Sequence, residues 1–327
     1  MSAPAPLVRV LRSGLEESIH TGHVAVCDAE GRLLARVGDP DRTVFARSSM
    51  KPLQAAVSLR WIEVPVGEDL VAIACASHNA EPVHVRAVRR LLRTGGMAES
   101  ALRCPAALPS RPEDARRVSR PRPVFHNCSG KHAAMVVAAS SAGWGREGYL
   151  DPSHPLQRAV LRAVRRATGV ERPAIGVDGC GVPVHGVPLR AMATLFARLG
   201  RPARLGGLAV TAARAVGAMA AHPYLVAGDR RTDTLLMTAA PRIVSKGGAE
   251  ALHCAVVLDA GIGVAVKVAD GGERASGPAL VRALDLLGAL TQDQVEALAP
   301  LLRRPVLGGG RRVGEMVADF RLRRPRG

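Results

Sequence analysis

The sequence predicts an α/β chain in which an antiparallel sheet, formed by N- and C-terminal strands, is flanked by helices, with a helical region in the middle. Three observations predict it. Short apolar runs bounded by Gly, Pro and Asp recur near both ends, as strands do, while helix-periodic stretches fill the centre. Aromatic residues make up only 2% of the chain, so a 47% hydrophobic content must build its core from Val, Leu, Ala and Ile, which suits helices packed on β-branched strands. No repeat or low-complexity linker interrupts the 327 residues, and the chain reads as one domain over 1–327, with strand groups at 7–47 and 242–270 and a mainly helical region 48–240.

The elements follow in order. LVRVLRS, GHVAVCD and GRLLARV read as strands, with Asp28 to Gly31 as the turn between the second and third. A helix begins after Ser49 as KPLQAAVSLRWI, because Pro52 fits only a first turn, where its missing N–H costs nothing. The apolar run LVAIACA then reaches Ser77, His78 and Asn79 as a strand meeting a helix. Further helices are expected at 83–95, 130–141, 154–168, 188–199, 205–220 and 274–289. RIVSK reads as a strand, and LHCAVVLD and VAVKVAD form a hairpin around Ala260 to Gly263. The tail from Arg303 to Arg326 is expected to be loose and basic.

Composition excludes several classes. A formal charge of +17 invites a nucleic-acid partner, and arginines do cluster at 86–93, 111–122 and 162–166. Residues able to stack on bases are nearly absent, so these clusters read as solvated helix faces and nucleic acid is not expected as a partner. No apolar run approaches the roughly twenty residues that span a bilayer, and the N-terminus lacks a charged start followed by an apolar core. A cytoplasmic protein without a membrane partner is expected. The six cysteines have no paired spacing and are expected to be reduced thiols.

Within this Arg-rich chain the exceptions carry the chemical signal. Forty-one arginines stand against four lysines, Lys51, Lys131, Lys246 and Lys267. Arg keeps its charge, whereas a desolvated Lys can lose a proton and act as base or ligand. Ser48 and Lys51 stand three residues apart, so one helical turn would put both on one face, where a neutral amine could take the serine proton for acyl transfer. On its own the motif is weak, because a serine before a helix is usually a cap. Four further polar stretches stand out. ACASHNAEPVH carries Ser77, and a plain helix cap with His84 on a solvent face would explain the same stretch. HNCSGKHAAM carries Cys128, Lys131 and His132, and GVDGCGVPVHG carries Asp178 and Cys180. VSKGGAEAL places Lys246 before Gly247 and Gly248, whose missing side chains would let a ligand approach the backbone. Two thiolates and a nitrogen donor would suit zinc, although no paired Cys spacing supports it and buried structural thiols explain the same residues. Lys267 is expected to face solvent from a strand.

Taken in order, ESIHTGHVAVCDAEGRLLARVGDP, FARSSMKPLQA, CASHNAEPVH, HNCSGKHAAM, GVDGCGVPVHGVPLRAMA, DTLLMTAAPRIVSKGGAEA and AVKVADG resemble the thermolabile, rhizobial-type L-asparaginase II family, from about Leu7 to the chain end. The resemblance implies a fold related to serine β-lactamases and glutaminases, a homodimer, and hydrolysis of L-asparagine to aspartate and ammonia. It implies Ser48 as nucleophile with Lys51 as base and Arg47 beside it, and Ser77 with Lys246 as a second Ser-Lys tandem. It further implies a zinc site of Cys128, Lys131 and Cys180, with Asp178 and His132 as polar partners toward the substrate. Two departures, GGAEAL after Lys246 and His23 in HTGHVAV, leave glutamine or a related amide open as substrate. The rivals are a β-lactamase-like serine acyl hydrolase, echoed by Ser48-x-x-Lys51, Ser77-His-Asn79 and Lys246-Gly-Gly, and a non-catalytic Arg-rich nucleic-acid-binding protein.

Overall fold

The computed structural model describes residues 3–325. Strands β1 (Ala5–Arg12), β2 (Leu15–Cys27), β3 (Leu33–Val37) and β4 (Thr43–Phe45) lead into helices α1 (Lys51–Leu59), α2 (Glu68–Ala74), α3 (Pro82–Thr94), α4 (Pro112–Ala115), α5 (Ser129–Ser141) and α6 (Pro155–Thr168). Strands β5 (Ala174–Val177) and β6 (Pro183–Pro188) precede helices α7 (Leu189–Leu199), α8 (Ala209–Ala221), α9 (Pro223–Ala227) and α10 (Thr232–Ala239). The chain then runs through β7 (Ile243–Gly248), β8 (Leu252–Val257), β9 (Ile262–Val268), α11 (Glu273–Leu286), α12 (Gln292–Ala297), α13 (Ala299–Leu302), β10 (Arg303–Gly308) and β11 (Arg311–Ala318). By contact it divides into two compact units, one of Met1–Ser49, Gly186–Arg201 and Leu235–Gly327, the other of Met50–His185 and Pro202–Thr234.

The first unit holds the antiparallel sheet that the sequence predicts from strands at both chain ends, in the order β10-β11-β1-β2-β9-β8-β7, with β3 also paired to β2. Alternation along β9 explains how both faces are covered. Val264, Val266 and Val268 enter one apolar cluster with Leu280 and Leu284 of α11. Gly263 faces α7 instead, where a Cβ would stand 1.9 Å from the Ala193 carbonyl. A side chain there would push the helix off the sheet.

The tail departs from expectation. Residues 303–318 form a hairpin rather than a loose segment, and β11 pairs with β1, setting Val8 against Ala318 and Val10 against Met316. Exposure alternates along β10, and Met316 and Ala318 of β11 turn into the core. The dense arginines masked that period of two, because they occupy the outward and edge positions, where Arg303 and Arg312 both pair with Glu315.

The second unit is helical. Every residue of α1 is buried, and α5, α6, α8 and α2 surround it. LVAIACA is helix α2 rather than a strand: a short apolar run does not set its own period, and Glu68 and Asp69 supply the acidic first turn that favours a helix start. Helix α5 crosses α2 so closely that a Cβ on Gly130 would lie 2.0 Å from the Ile73 carbonyl. No helix among the described residues is long and apolar enough to cross a membrane. All six cysteines are free thiols.

Candidate active site

A 3-10 turn at Arg47–Met50 hands the chain over to α1. The sequence predicts Ser48 on the first turn of that helix, but the helix starts at Lys51 with Pro52 in its first turn, so Ser48 lies in the tighter turn before it. Arg47 opens the turn with a φ of 45°, in the left-handed region. Ser48 is partly exposed, whereas Ser49 is buried and its hydroxyl donates to the Lys246 carbonyl at 2.9 Å. Gly248 makes room for this contact, since a Cβ there would stand 3.0 Å from Ser49 Oγ. The glycine that was expected to admit a ligand therefore admits Ser49. Lys246 is fully buried on β7 opposite Cys254, and its amine donates to Gly247 O at 2.7 Å. Arg47 lines a cavity of about 390 Å³ with His23, Arg42, Glu250 and Lys267.

Lys51 reaches into the interior of the second unit. Its amine donates to Ala76 O at 2.6 Å and lies 2.9 Å from Ser77 Oγ and 3.4 Å from Asn127 O. Ser77 is presented by the turn after α2, where its N–H donates to Val226 O and the His78 N–H donates to Asn127 O. The Lys51 side chain has no solvent exposure, and burial lowers its pKa, with thiolate charge at Cys128 opposing and the Lys131 ammonium reinforcing that shift. A neutral amine has two N–H donors and one lone pair. Ala76 O and Asn127 O can take the donors, and the Ser77 hydroxyl can donate to the lone pair.

The sulfur residues gather nearby in the same unit. Cys128 caps α5, Lys131 follows one turn later, and Cys180 comes from the loop where Asp178 N–H donates to Val182 O. Lys131 Nζ lies 3.1 Å from Cys180 Sγ and 4.0 Å from Asp178 Oδ2. The neighbouring Cys180 side chain and the Lys51 and Lys131 amines hold Cys128 well below the usual thiol range against the opposing cost of burial, while Cys128 and burial raise Cys180. Cys128 Sγ lies 3.1 Å from Asn127 Oδ1, and Cys180 Sγ lies 3.7 Å from Asp178 Oδ2. Burial would lower Lys131, but the Cys180 and Cys128 sulfurs and Asp178 raise it on balance, so its ammonium persists. The chemistry of two sulfurs and an amine nitrogen fits a soft divalent cation such as zinc, provided that Lys131 and Cys180 give up their protons. Among the described residues no group of three His, Cys, Asp or Glu is placed to hold a metal.

Two other residues, one in each unit, need a corrected reading. His84 is fully buried rather than solvent-facing, stacked on His78 and Tyr224, with Nε2 bonded to Tyr224 O at 2.9 Å. Lys267 is half-buried, its amine donating to Glu250 O and Val268 O, and burial lowers its pKa. The polar partner that sequence reasoning missed is Tyr149, whose hydroxyl lies 2.8 Å from His132 Nδ1 and accepts from the Arg103 N–H. Its signal was rarity, as one of two tyrosines. His132 Nε2 is buried without a hydrogen-bond partner among the described residues, and burial keeps the ring neutral.

The family model described as L-asparaginase II matches residues 8–318 of the sequence. The chain belongs to the L-asparaginase II family. This makes it a member of a hydrolase family acting on amides. A search of curated proteins returns no match. Among solved structures, the chain is similar to a beta-lactamase from Mycobacterium bovis, at 18% identity and a TM-score of 0.45 over 82% of this chain and 95% of that one. It is also similar to Mglu, at 16% identity and a TM-score of 0.39 over 83% of this chain and 68% of that one.

Proposed function

We propose that this L-asparaginase II family protein hydrolyses the side-chain amide of L-asparagine to L-aspartate and ammonia through a serine acyl-enzyme, acting as a homodimer. The observation that carries the proposal is the Lys51 amine, wholly buried, with a lowered pKa and 2.9 Å from the Ser77 hydroxyl. Such an amine is a general base held ready beside hydroxyl chemistry. Ser48 is the nucleophile. Lys51 takes its proton, Ser48 Oγ attacks the amide carbon, and the proton returns to the leaving nitrogen as ammonia departs. Water then cleaves the ester, Lys51 accepting its proton, and aspartate leaves with Ser48 restored. Ser77 passes protons to and from Lys51, and Lys246 completes the second tandem. Arg47, His132 and Asp178 orient the polar groups of the substrate. Cys128, Lys131 and Cys180 would hold zinc, which when bound supplies a fixed positive centre rather than hydroxide, since two thiolates leave it little Lewis acidity.

A second assignment has an observation of its own: the hydroxyl in direct contact with Lys51 is that of Ser77, which makes Ser77 the alternative nucleophile. A coupled ammonia assay with intact-mass detection of the acyl-enzyme separates the two. Ser48→Ala is expected to abolish both turnover and the acyl adduct, while Ser77→Ala slows turnover about 10²- to 10⁴-fold, as loss of a proton relay does. An adduct that survives in Ser48→Ala and vanishes in Ser77→Ala transfers the role. Absence of ammonia release from asparagine, with glutamine or a β-lactam consumed instead, overturns the substrate.

A further inference from the structure

The arginine clusters at 86–93 and 111–122, separate in sequence and not used by the chemistry above, contribute to one recess. Arg86 and Arg89 of α3 and Arg117, Arg120 and Arg122 line a cavity of about 440 Å³ whose lining includes a single carboxylate, Asp114. We propose that this cavity binds a phosphate chain, as found in inorganic tripolyphosphate or in the tail of a nucleoside triphosphate.

Charge accounting within the second unit leads there. Glu99 is divided between Arg89 and Arg122. Asp114 lies 3.8 Å from both Arg111 and Arg117. The side chains of Arg86 and Arg120 have no ion pair or hydrogen bond among the described residues. Five arginines thus line a recess whose acids are already shared, and the mutual repulsion of their charges is relieved by a ligand with several negative oxygens in a short span. Guanidinium forks match adjacent phosphate oxygens better than isolated carboxylates spaced by carbon.

The frame is built before any ligand arrives. Ala107 and Arg122 exchange backbone N–H to O=C bonds at 3.1 and 3.0 Å, pinning the arm that carries Arg120 and Arg122. Arg122 lies over the Phe125 ring at 5.8 Å from its centroid. Phe125 is only 8% exposed, so it gives the recess a floor but no open face on which a base could stack. That favours the phosphate chain itself over a nucleobase or a strand of nucleic acid.

Isothermal titration of the full chain with sodium tripolyphosphate at about 150 mM salt, where screening removes weak surface binding, is the test. One-to-one binding is expected, with AMP at least about tenfold weaker because a single phosphate engages fewer guanidiniums. ATP binding more tightly than tripolyphosphate supports the proposal with a nucleotide as the source; equal or weaker ATP binding supports it with the inorganic chain. Arg86→Ala with Arg120→Ala is expected to weaken tripolyphosphate binding about tenfold or more. No saturable binding, undiminished binding in the double variant, AMP as tight as tripolyphosphate, or preference for a single-stranded oligonucleotide at equal phosphate concentration would each overturn it.

Discussion

Two primary amines shut away from water in one unit, Lys51 and Lys131, are shifted in opposite directions. Lys131 meets two sulfurs and a carboxylate and stays charged, whereas burial prevails at Lys51. Because the folded pKa of Lys51 lies below its ordinary 10.5, the unfolded chain binds the extra proton between those two values, and this residue's contribution favours folding more as pH rises through that window. In the proposed mechanism the deprotonated base is the active one, so kcat/KM is expected to rise as pH climbs through the lowered value and then level off. Lys51→Arg keeps its proton throughout and is expected to lose about 10³-fold in kcat, near the middle of the range for general-base catalysis. Full activity in that variant, measured across pH by ammonia release, would remove Lys51 from the mechanism. At this scale the sequence was informative through scarcity, since Lys51, Lys131 and Lys246, rare among arginines, are all at most 2% exposed. It was silent on Ser49, because a serine that bonds a distant carbonyl looks like any other serine before the chain folds.

At the scale of elements, what could be read depended on whether a segment's period was visible. The helices at 82–94, 129–141 and 155–168 announced themselves by 3.6-residue spacing within a residue or two of their observed bounds. LVAIACA did not, being too short and uniformly apolar to show a period, so the arm that presents Ser77 was read as a strand. The crossing of α5 over α2 was equally invisible, since it depends on one glycine meeting a carbonyl across 57 residues of chain. Gly130→Ala is expected to cost about 3 kcal/mol, with a fall in Tm of roughly 6–12 °C by calorimetry, because overpacking here strikes backbone rather than a yielding side chain. A Tm within 2 °C of wild type would show that the helices slide apart freely, on the scale of about 2–4 °C per kcal/mol. The start of α5 also carries Cys128 and Lys131. Zinc added to the metal-free protein is expected to bind one-to-one and to release about two protons, one each from Cys180 and Lys131, as ligands must deprotonate. Cys128→Ser is expected to abolish stoichiometric uptake by elemental analysis, and retention of zinc in that variant would dismiss the ligand set.

For the whole molecule, the feature hardest to foresee was the hairpin of β10 and β11. Its arginines outweighed its alternation in the sequence, and its partner strand lies at the other end of the chain. Strands near both ends were legible as a group, but which ones pair is fixed by long-range register that composition does not encode. Ending the chain after Leu302 is expected to leave β1 as a bare edge and to produce aggregation by size-exclusion chromatography, where the full chain elutes as a defined species. A well-behaved truncated chain would make the hairpin dispensable.

The pairing of β1 with β11 also has a consequence in time. A ribosome delivers Val8 and Val10 roughly 300 residues before their partners Ala318 and Met316. For most of synthesis the opening hairpin therefore waits with one flank unsatisfied, at the several residues per second typical of translation. Slowing the nascent chain, or depriving it of chaperones that shield such flanks, should harm yield far more than it harms the finished protein.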